Sequence, residues 1–542
     1  MKIKSIRYGF ANNSSSSHSI VFLGSQKVED NDIYEDFGWS FFTAASEQAK
    51  KDYLLATILH QRKIVSYIPR TPLTEKSGWS NPFEEMEVMK KYKITNWDEL
   101  RKSKFQNNFD LADSIEEKLK WGFIKENFSD IFGNEMLQDW EERSSTGQWG
   151  ATPYIDHQSV LALPINPDGS IQVEFLKTFF SILIKENFAI LGGNDNDDVS
   201  HSLYSKNTFS DNKSIMNVLK IIDMMGTENV GPVCVYDELN KDFIFQKSEN
   251  GNKIRFSLDS NEVTNKSSFP ELVDLKITEY CDYGCKFCYQ SSTKEGSHAS
   301  FENVEKSIKM LAASGVLEIA IGGGEPTQHP DLLKILKLIK SFNMSACFTT
   351  KNFDIQEHPD YLEILKASNS IAFSCNSIAE IEKIENIKNE MINLGLSYES
   401  RPKIYIQMIP ELMSDENFEK ALKYVSDMYN TPVTLLGYKD FGFGEKYLPK
   451  NRFSNSGWIK TVKEFSDKHN IQFGIDSVLV SKWKKELIEE CVDPLALVGE
   501  EGKYSCYLDS VKMTIHKSSF SKEAGIQLTG EEKDIKEQFA TF

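Results

Sequence analysis

The chain has 542 residues, a formal net charge of −18, and 40% hydrophobic and 12% aromatic residues. That length predicts two or more domains, with enough apolar material for sizeable cores. The acidic balance argues against nucleic-acid binding by the surface as a whole, so only a local basic groove would serve it. No run of about eighteen apolar residues is present to span a membrane.

The first residues, MKIKSIRYGFANNSSSSHS, hold no apolar signal core, so a cytoplasmic, reducing location is expected. Ser14, Ser15, Ser16 and Ser17, flanked by Asn12, Asn13 and His18, stand directly before an apolar strand-like run. Three readings stay open for them: a flexible polar lead-in, a turn whose N–H and hydroxyl groups cradle an anion, or a recognition tag. Residues 60–145 are charged, aromatic and helical in pattern, and 160–191 read as strand, NPDG turn, helix and strand. The acidic run in GGNDNDDVSHS reads as a solvated loop in preference to a calcium site. Segments 231–237, 242–247 and 253–258 read as antiparallel strands joined by turns, and SNEVTNKSSFP as a linker. Residues 1–265 are therefore expected to form an α+β accessory domain.

From residue 266 a strand–helix unit repeats. Strand-like runs occupy 272–278, 317–322, 345–350, 370–376, 403–409 and 432–438, with helical patterns between most of them. Six such units predict a parallel sheet with helical crossovers, whose functional residues gather at the C-terminal strand ends. Residues 481–542 follow as a short C-terminal extension, in which YSCYLDSVKMTIH reads as two short strands set against an open edge.

Directly after the first run, LVDLKIT, come Cys281, Cys285 and Cys288, spaced C-x3-C-x2-C. Three thiolates so close in sequence can wrap one corner of a cubane iron–sulfur cluster and leave the fourth iron open. A structural zinc site wants four ligands in paired knuckles, and disulfide use is disfavoured by the odd count. The next run ends in Gly322, Gly323, Gly324, Glu325 and Pro326. Glycines let backbone approach a ligand, and Glu325 would be a charge partner for an ammonium.

Together, C-x3-C-x2-C after the first strand and GGEP after the second resemble the radical SAM superfamily. The resemblance implies an α/β fold: a partial (β/α)6 TIM-type barrel over 266–480, between the accessory domain and the extension. It implies a [4Fe–4S] cluster on Cys281, Cys285 and Cys288, with S-adenosylmethionine on the free iron and its amino group at Gly323, Gly324 and Glu325. Phe287 matches an aromatic often beside the adenine. Pro326, Thr350, Asn352, Ser374, Asn376 and Met408 are the remaining cofactor-side candidates, and Gln407 adjoins them. Lys439 is a candidate for substrate contact; Gly442 and Gly444 fit either a loop against adenine or a plain turn. Cys234, Cys347, Cys375, Cys491 and Cys506 read as free thiols.

The activity implied is reductive cleavage of S-adenosylmethionine to a 5′-deoxyadenosyl radical that abstracts hydrogen from a substrate, with a flavodoxin- or ferredoxin-type electron donor. A peptide or protein substrate is expected first. Radical modification of a nucleotide, nucleoside or RNA is the alternative, and a non-catalytic regulator that keeps the cofactor fold is a second.

Overall fold

The computed structural model describes residues 266–396, 401–428, 431–447, 456–469, 471–490 and 500–542. Before them it describes 2–7, 18–22, 42–60, 109–145, 160–192 and 232–257 with small gaps, and a few isolated residues. Ser14–Ser17 and the acidic run 194–198 lie outside the described residues. The chain forms two compact units: Met1–Ile3, Asn12–Cys234 and Ser257–Asn261, and Lys4–Ala11, Val235–Phe256 and Glu262–Phe542.

The first unit is α+β. Strands His18–Phe22 and Phe42–Ala44 flank Phe188–Gly192, each antiparallel to it. Helix Val173–Lys185 buries Phe175, Leu176, Phe179, Phe180, Leu183 and Ile184, the spacing of a one-sided apolar stripe. The NPDG turn before it is closed by Asn166 N donating to Ser170 O at 2.7 Å. Its core is largely aromatic: Phe128 packs on both Phe132 and Phe180, and Phe37 and Phe42 pack on Tyr53.

The second unit is built on a ten-stranded sheet. Its strands are β1 (Leu272–Thr278), β2 (Glu318–Gly323), β3 (Ser345–Thr350), β4 (Ser370–Cys375) and β5 (Lys403–Met408). They continue with β6 (Val433–Leu435), β7 (Phe473–Ile475), β8 (Ser505–Asp509), β9 (Thr514–His516) and β10 (Ile526–Gln527). The order is β7-β6-β5-β4-β3-β2-β1-β8-β9-β10. All pairs from β7 to β8 are parallel, and β8, β9 and β10 are antiparallel neighbours. The six strand runs read from sequence are β1 to β6, and the sheet extends beyond them at both ends.

Alternation explains the layering. Val273, Leu275 and Ile277 of β1, Ile319 and Ile321 of β2, and Ile404, Ile406 and Met408 of β5 are buried in one core with the crossover helices. The other face is curled inward. Asp274 of β1 and Asp476, just beyond β7, line the same cavity, although β1 and β7 stand six strands apart in the sheet. Ser477 Oγ also donates to Glu501 Oε1 across the gap between β7 and β8. An open flat sheet could not make that contact, so the strands form a partial barrel.

Val235–Phe256 lies before residue 265 in sequence, yet it clusters with the barrel. The fully buried Arg255 is the reason. Its Nε donates to Glu271 at 2.9 Å, and Nη1 to Asp242 at 2.8 Å and Asp237 at 3.1 Å. Ser267 takes Nη2, and Lys253 pairs with the other oxygen of Glu271 at 2.6 Å.

Candidate functional site

Gly323, Gly324 and Glu325 lie where β2 ends beside the segment leaving β1. Gly324 N donates to Thr278 O at 2.7 Å and Glu325 N to Tyr280 O at 2.9 Å. Gly323 has φ +114°, and a Cβ there would lie 2.3 Å from Thr278 O; at Gly324 it would lie 2.0 Å from Tyr280 O. These two glycines are thus needed to pack β2 onto the cysteine-bearing strand end. This packing is a reason beyond the close approach to a ligand expected from sequence, and both residues also line the cavity. Gly322 lines it too, and differs in that a Cβ there meets nothing.

The segment that follows carries Cys281, Cys285 and Cys288, all half-buried and lining one cavity of about 420 Å3. Cys281 N donates to Thr293 O and Cys288 N to Cys285 O, which fixes the loop's course. The stretch after β6 braces it. Phe443 N donates to Cys288 O at 3.0 Å, and Gly442, at φ +59°, leaves only 2.4 Å from a Cβ position to Tyr289 O. The Phe287 and Tyr447 rings pack 6.0 Å apart. Gly442 and Gly444 therefore serve a tight turn against the cysteine loop.

Glu325 is almost wholly buried. Its Oε1 accepts from Thr327 N, Thr327 Oγ1 and Thr350 Oγ1, the last at 2.6 Å, and its Oε2 accepts from Lys351 N at 2.9 Å. Burial still outweighs these bonds and pushes the carboxyl above its ordinary pKa. Thr350 thus holds Glu325 in place. Asn352 donates to Thr327 Oγ1 at 3.2 Å, one step further from the cavity. Pro326 opens the short turn 326–328 and is buried.

Phe287, Ser374, Asn376 and Gln407 line the cavity, while Cys375 is buried in the core. Met408 corrects a sequence-based choice: it is fully buried in the helix-facing core, and Gln407 takes the inward position that strand alternation leaves. Lys351 N anchors Glu325, and Lys351 Nζ pairs with Glu380 at 2.9 Å. Lys439 lies within the cavity, 4.0 Å from Asp476 Oδ2 and 4.6 Å from the Tyr289 ring centroid. Cys234, Cys375 and Cys506 are buried on separate strands; Cys491 lies outside the described residues.

Sequence reasoning missed part of the lining. Asp274 faces Ala320 on one side and Tyr507 on the other, in register across β2, β1 and β8. Its carboxyl opens onto the cavity, and partial desolvation by the cavity walls pushes its pKa up to about 6. Burial also raises Asp476 and Glu501. The signal for Asp274 was present: an acid set in mid-strand among the apolar Leu272, Val273, Leu275 and Ile277.

The donor set fits a cubane. Burial comes first in raising the Cys281 thiol, to about 11, followed by the nearby charges of Glu325, Cys285 and Cys288; burial also raises Cys285. Such thiols ionise fully only when a cationic centre joins them. Among the described residues, no three His, Cys, Asp or Glu side chains close on one point as a single ion would require. Thiolates capping separate irons of a cubane need not do so.

Residues 275–440 match the family model of the radical SAM superfamily. This segment belongs to the radical SAM superfamily. Radical SAM domains use a [4Fe–4S] cluster with S-adenosylmethionine, and the three cysteines and Glu325 lie inside the matched segment. The chain is 26% identical over 203 residues to a GTP 3′,8-cyclase of Mannheimia succiniciproducens, covering 35% of this chain and 59% of that protein. It is 31% identical over 116 residues to the antilisterial bacteriocin subtilosin biosynthesis protein AlbA of Bacillus subtilis, covering 21% of this chain and 26% of that protein. The chain thus spans less than two thirds of either relative. Among solved structures, SuiB of Streptococcus suis bound to its precursor peptide SuiA superposes with a TM-score of 0.43 at 15% identity, covering 68% of this chain and 76% of that chain. No helix among the described residues is long and apolar enough to cross a membrane.

Proposed function

We propose that this protein is a radical SAM enzyme acting on a peptide or protein. The observation that carries the reading is that Cys281, Cys285, Cys288, Gly322 to Glu325 and the inner ends of the barrel strands all open onto one cavity. When bound, the cluster and S-adenosylmethionine supply one-electron cleavage of the sulfonium and hydrogen-atom abstraction from the substrate.

The residues divide the work that the protein itself does. Cys281, Cys285 and Cys288 would hold three irons. Glu325 is a buried carboxylate with a raised pKa, and an ammonium set beside it would relieve the cost of its burial. It is therefore the proposed seat of the methionyl amino group, with Thr350 and the Lys351 amide fixing its rotamer. Ser374 and Asn376 present polar groups for the remainder of the cofactor, and Phe287 an apolar face. Asn352 and Pro326 shape the turn that carries Glu325, and Met408 has no cofactor role. Because cluster thiols and an electron donor require reduction, a cytoplasmic location belongs to the same proposal. The α+β unit is proposed to recognise the substrate.

The sequence similarity to GTP 3′,8-cyclases favours a second reading, with a nucleotide as substrate. The charge of the cavity supports the first. Among the described residues, Asp274, Glu325, Asp476 and Glu501 line it against only Lys351 and Lys439, four carboxylates to two ammonium groups. A polyphosphate would be repelled there.

The experiment is anaerobic turnover of reconstituted protein with S-adenosylmethionine and dithionite, scored for 5′-deoxyadenosine, with candidate peptides or with GTP. Peptide-stimulated product supports the proposal. Stimulation by GTP alone transfers it to the second reading, and absence of 5′-deoxyadenosine under every condition ends both.

A further inference from the structure

We propose that the barrel holds a subsite for a cationic substrate group, an ammonium or guanidinium on an aliphatic arm, formed by Asp274, Asp476 and Glu501 around Lys439. The inference deepens the peptide reading above and rests on it.

Asp274 comes from the inward face of β1, Asp476 from just beyond β7, and Glu501 from the segment leading into β8. The curl of the sheet brings them into one cavity. Three carboxylates share a single lysine, so the cluster is short of positive charge. Its one cation does not complete them. Lys439 Nζ stands 4.0 Å from Asp476 Oδ2, beyond hydrogen-bond distance, and that oxygen is enclosed with no hydrogen-bond partner. Asp476 Oδ1, by contrast, is fully used, accepting from Gly437 N and Leu479 N at 3.0 Å each. One oxygen therefore anchors the backbone, while the other is left with only the charge of Lys439 beside it.

Carboxylates gathered on one cavity with too little counter-charge repel one another, and a cation delivered among them relieves that repulsion. The walls suit such a cation. The rings of Tyr289 and Phe520, 4.6 Å and 5.1 Å from Lys439 Nζ, already hold that ammonium against the wall and show that this aromatic lining tolerates positive charge. The Ala320 methyl and the bare backbone of Gly322 on β2 leave room for an alkyl arm. A phosphate-bearing ligand would meet the opposite field.

The test uses anaerobic holoenzyme loaded with S-adenosylmethionine and equilibrium titration of four probes: Ac-Ala-Lys-Ala-NH2, its arginine and norleucine counterparts, and GTP. The lysine or arginine probe is expected to bind about tenfold or more tightly than norleucine, the span of a charge-assisted hydrogen bond, with GTP weakest. The gap should close largely in an Asp274→Asn/Glu501→Gln double variant, and in Asp476→Asn, which can keep the Oδ1 contacts. Iron content and the thermal midpoint check that each variant is folded; if one is not, the wild-type probe comparison decides alone. Equal affinity for cationic and norleucine probes, or preference for GTP, overturns the subsite. Selective binding of the cationic probe without any 5′-deoxyadenosine formation leaves the subsite standing and removes the proposed chemistry. Cleavage without cation preference does the reverse.

Discussion

The barrel unit contains two clusters of charge, one buried and one opening onto the cavity, that follow opposite rules. Around Arg255, at the start of β1, Asp237, Asp242, Glu271 and Ser267 take the guanidinium's donors, and Lys253 completes Glu271. Around Lys439, at the far end of the strands, three carboxylates surround one ammonium that hydrogen-bonds to none of them, and an oxygen of Asp476 is left unmet. The difference separates architecture from readiness. A closed ionic cluster spends its charge on holding the three-stranded Val235–Phe256 segment to the barrel. An open one keeps an imbalance of charge beside the cavity, which is where local rules of good folding are expected to fail.

The largest effect should come from Arg255→Ala. It strands three buried carboxylates, and about 3–5 kcal/mol of stability should be lost, read from the urea midpoint. Lys439→Met should cost about 1 kcal/mol or less by the same measurement, because an open cavity lets water reach the carboxylates left behind. Similar losses at the two sites would break the comparison.

Glu325 stands between these extremes, with four hydrogen bonds and still a raised pKa. Thr350→Val removes one donor and should weaken S-adenosylmethionine binding by up to about tenfold in an equilibrium titration, with little change in iron content. Unchanged affinity would mean that Glu325 does not need Thr350 to hold its position.

The smallest effects are in pH dependence, and the two clusters should differ in sign. Burial acts to raise Asp237, but bonds from Ser268 and Asn240, together with Arg255, outweigh it and hold the carboxyl at about 2. A depressed folded-state pKa adds stability that is present above the ordinary value of 3.8 and lost as pH falls towards about 2. For Asp274 the folded-state value of about 6 lies above the ordinary 3.8. The unfolded chain therefore ionises first, and stability falls as pH rises from about 4 to about 6. Asp274→Asn should raise the thermal midpoint at pH 7.5 and give no such gain below pH 4. A gain that persists in acid would show that charge is not its cause.

Much of the barrel was legible because its outward faces are apolar at every second position, as Ile404, Ile406 and Met408 show. That same pattern places Met408 in the core and Gln407 inward, so the choice between them was open to strand parity. The cysteine spacing and GGGEP turn were readable as local motifs. The reason for Gly323 and Gly324 was not, since it lies in the backbone of Thr278 and Tyr280 on another strand. Nor was the attachment of the three-stranded Val235–Phe256 segment, which depends on Arg255 reaching acids before and after it in sequence. Glu501, Tyr507 and Phe520 come from a tail whose strands are short, and only tertiary pairing brings them to the cavity.

That tail bears on the order of assembly. β8 pairs with β1 in parallel, and Lys276 on one meets Asp509 on the other at 3.0 Å, across 233 residues of sequence. During synthesis the cysteine loop and seven parallel strands emerge while one side of β1 is still a bare edge, open to pairing with the wrong partner. Contacts of such long separation form slowly. The wall that carries Asp274 is therefore finished last, by residues far downstream of the motifs. Refolding followed by pulsed hydrogen exchange should find the β1 amides facing β8 protected after those facing β2.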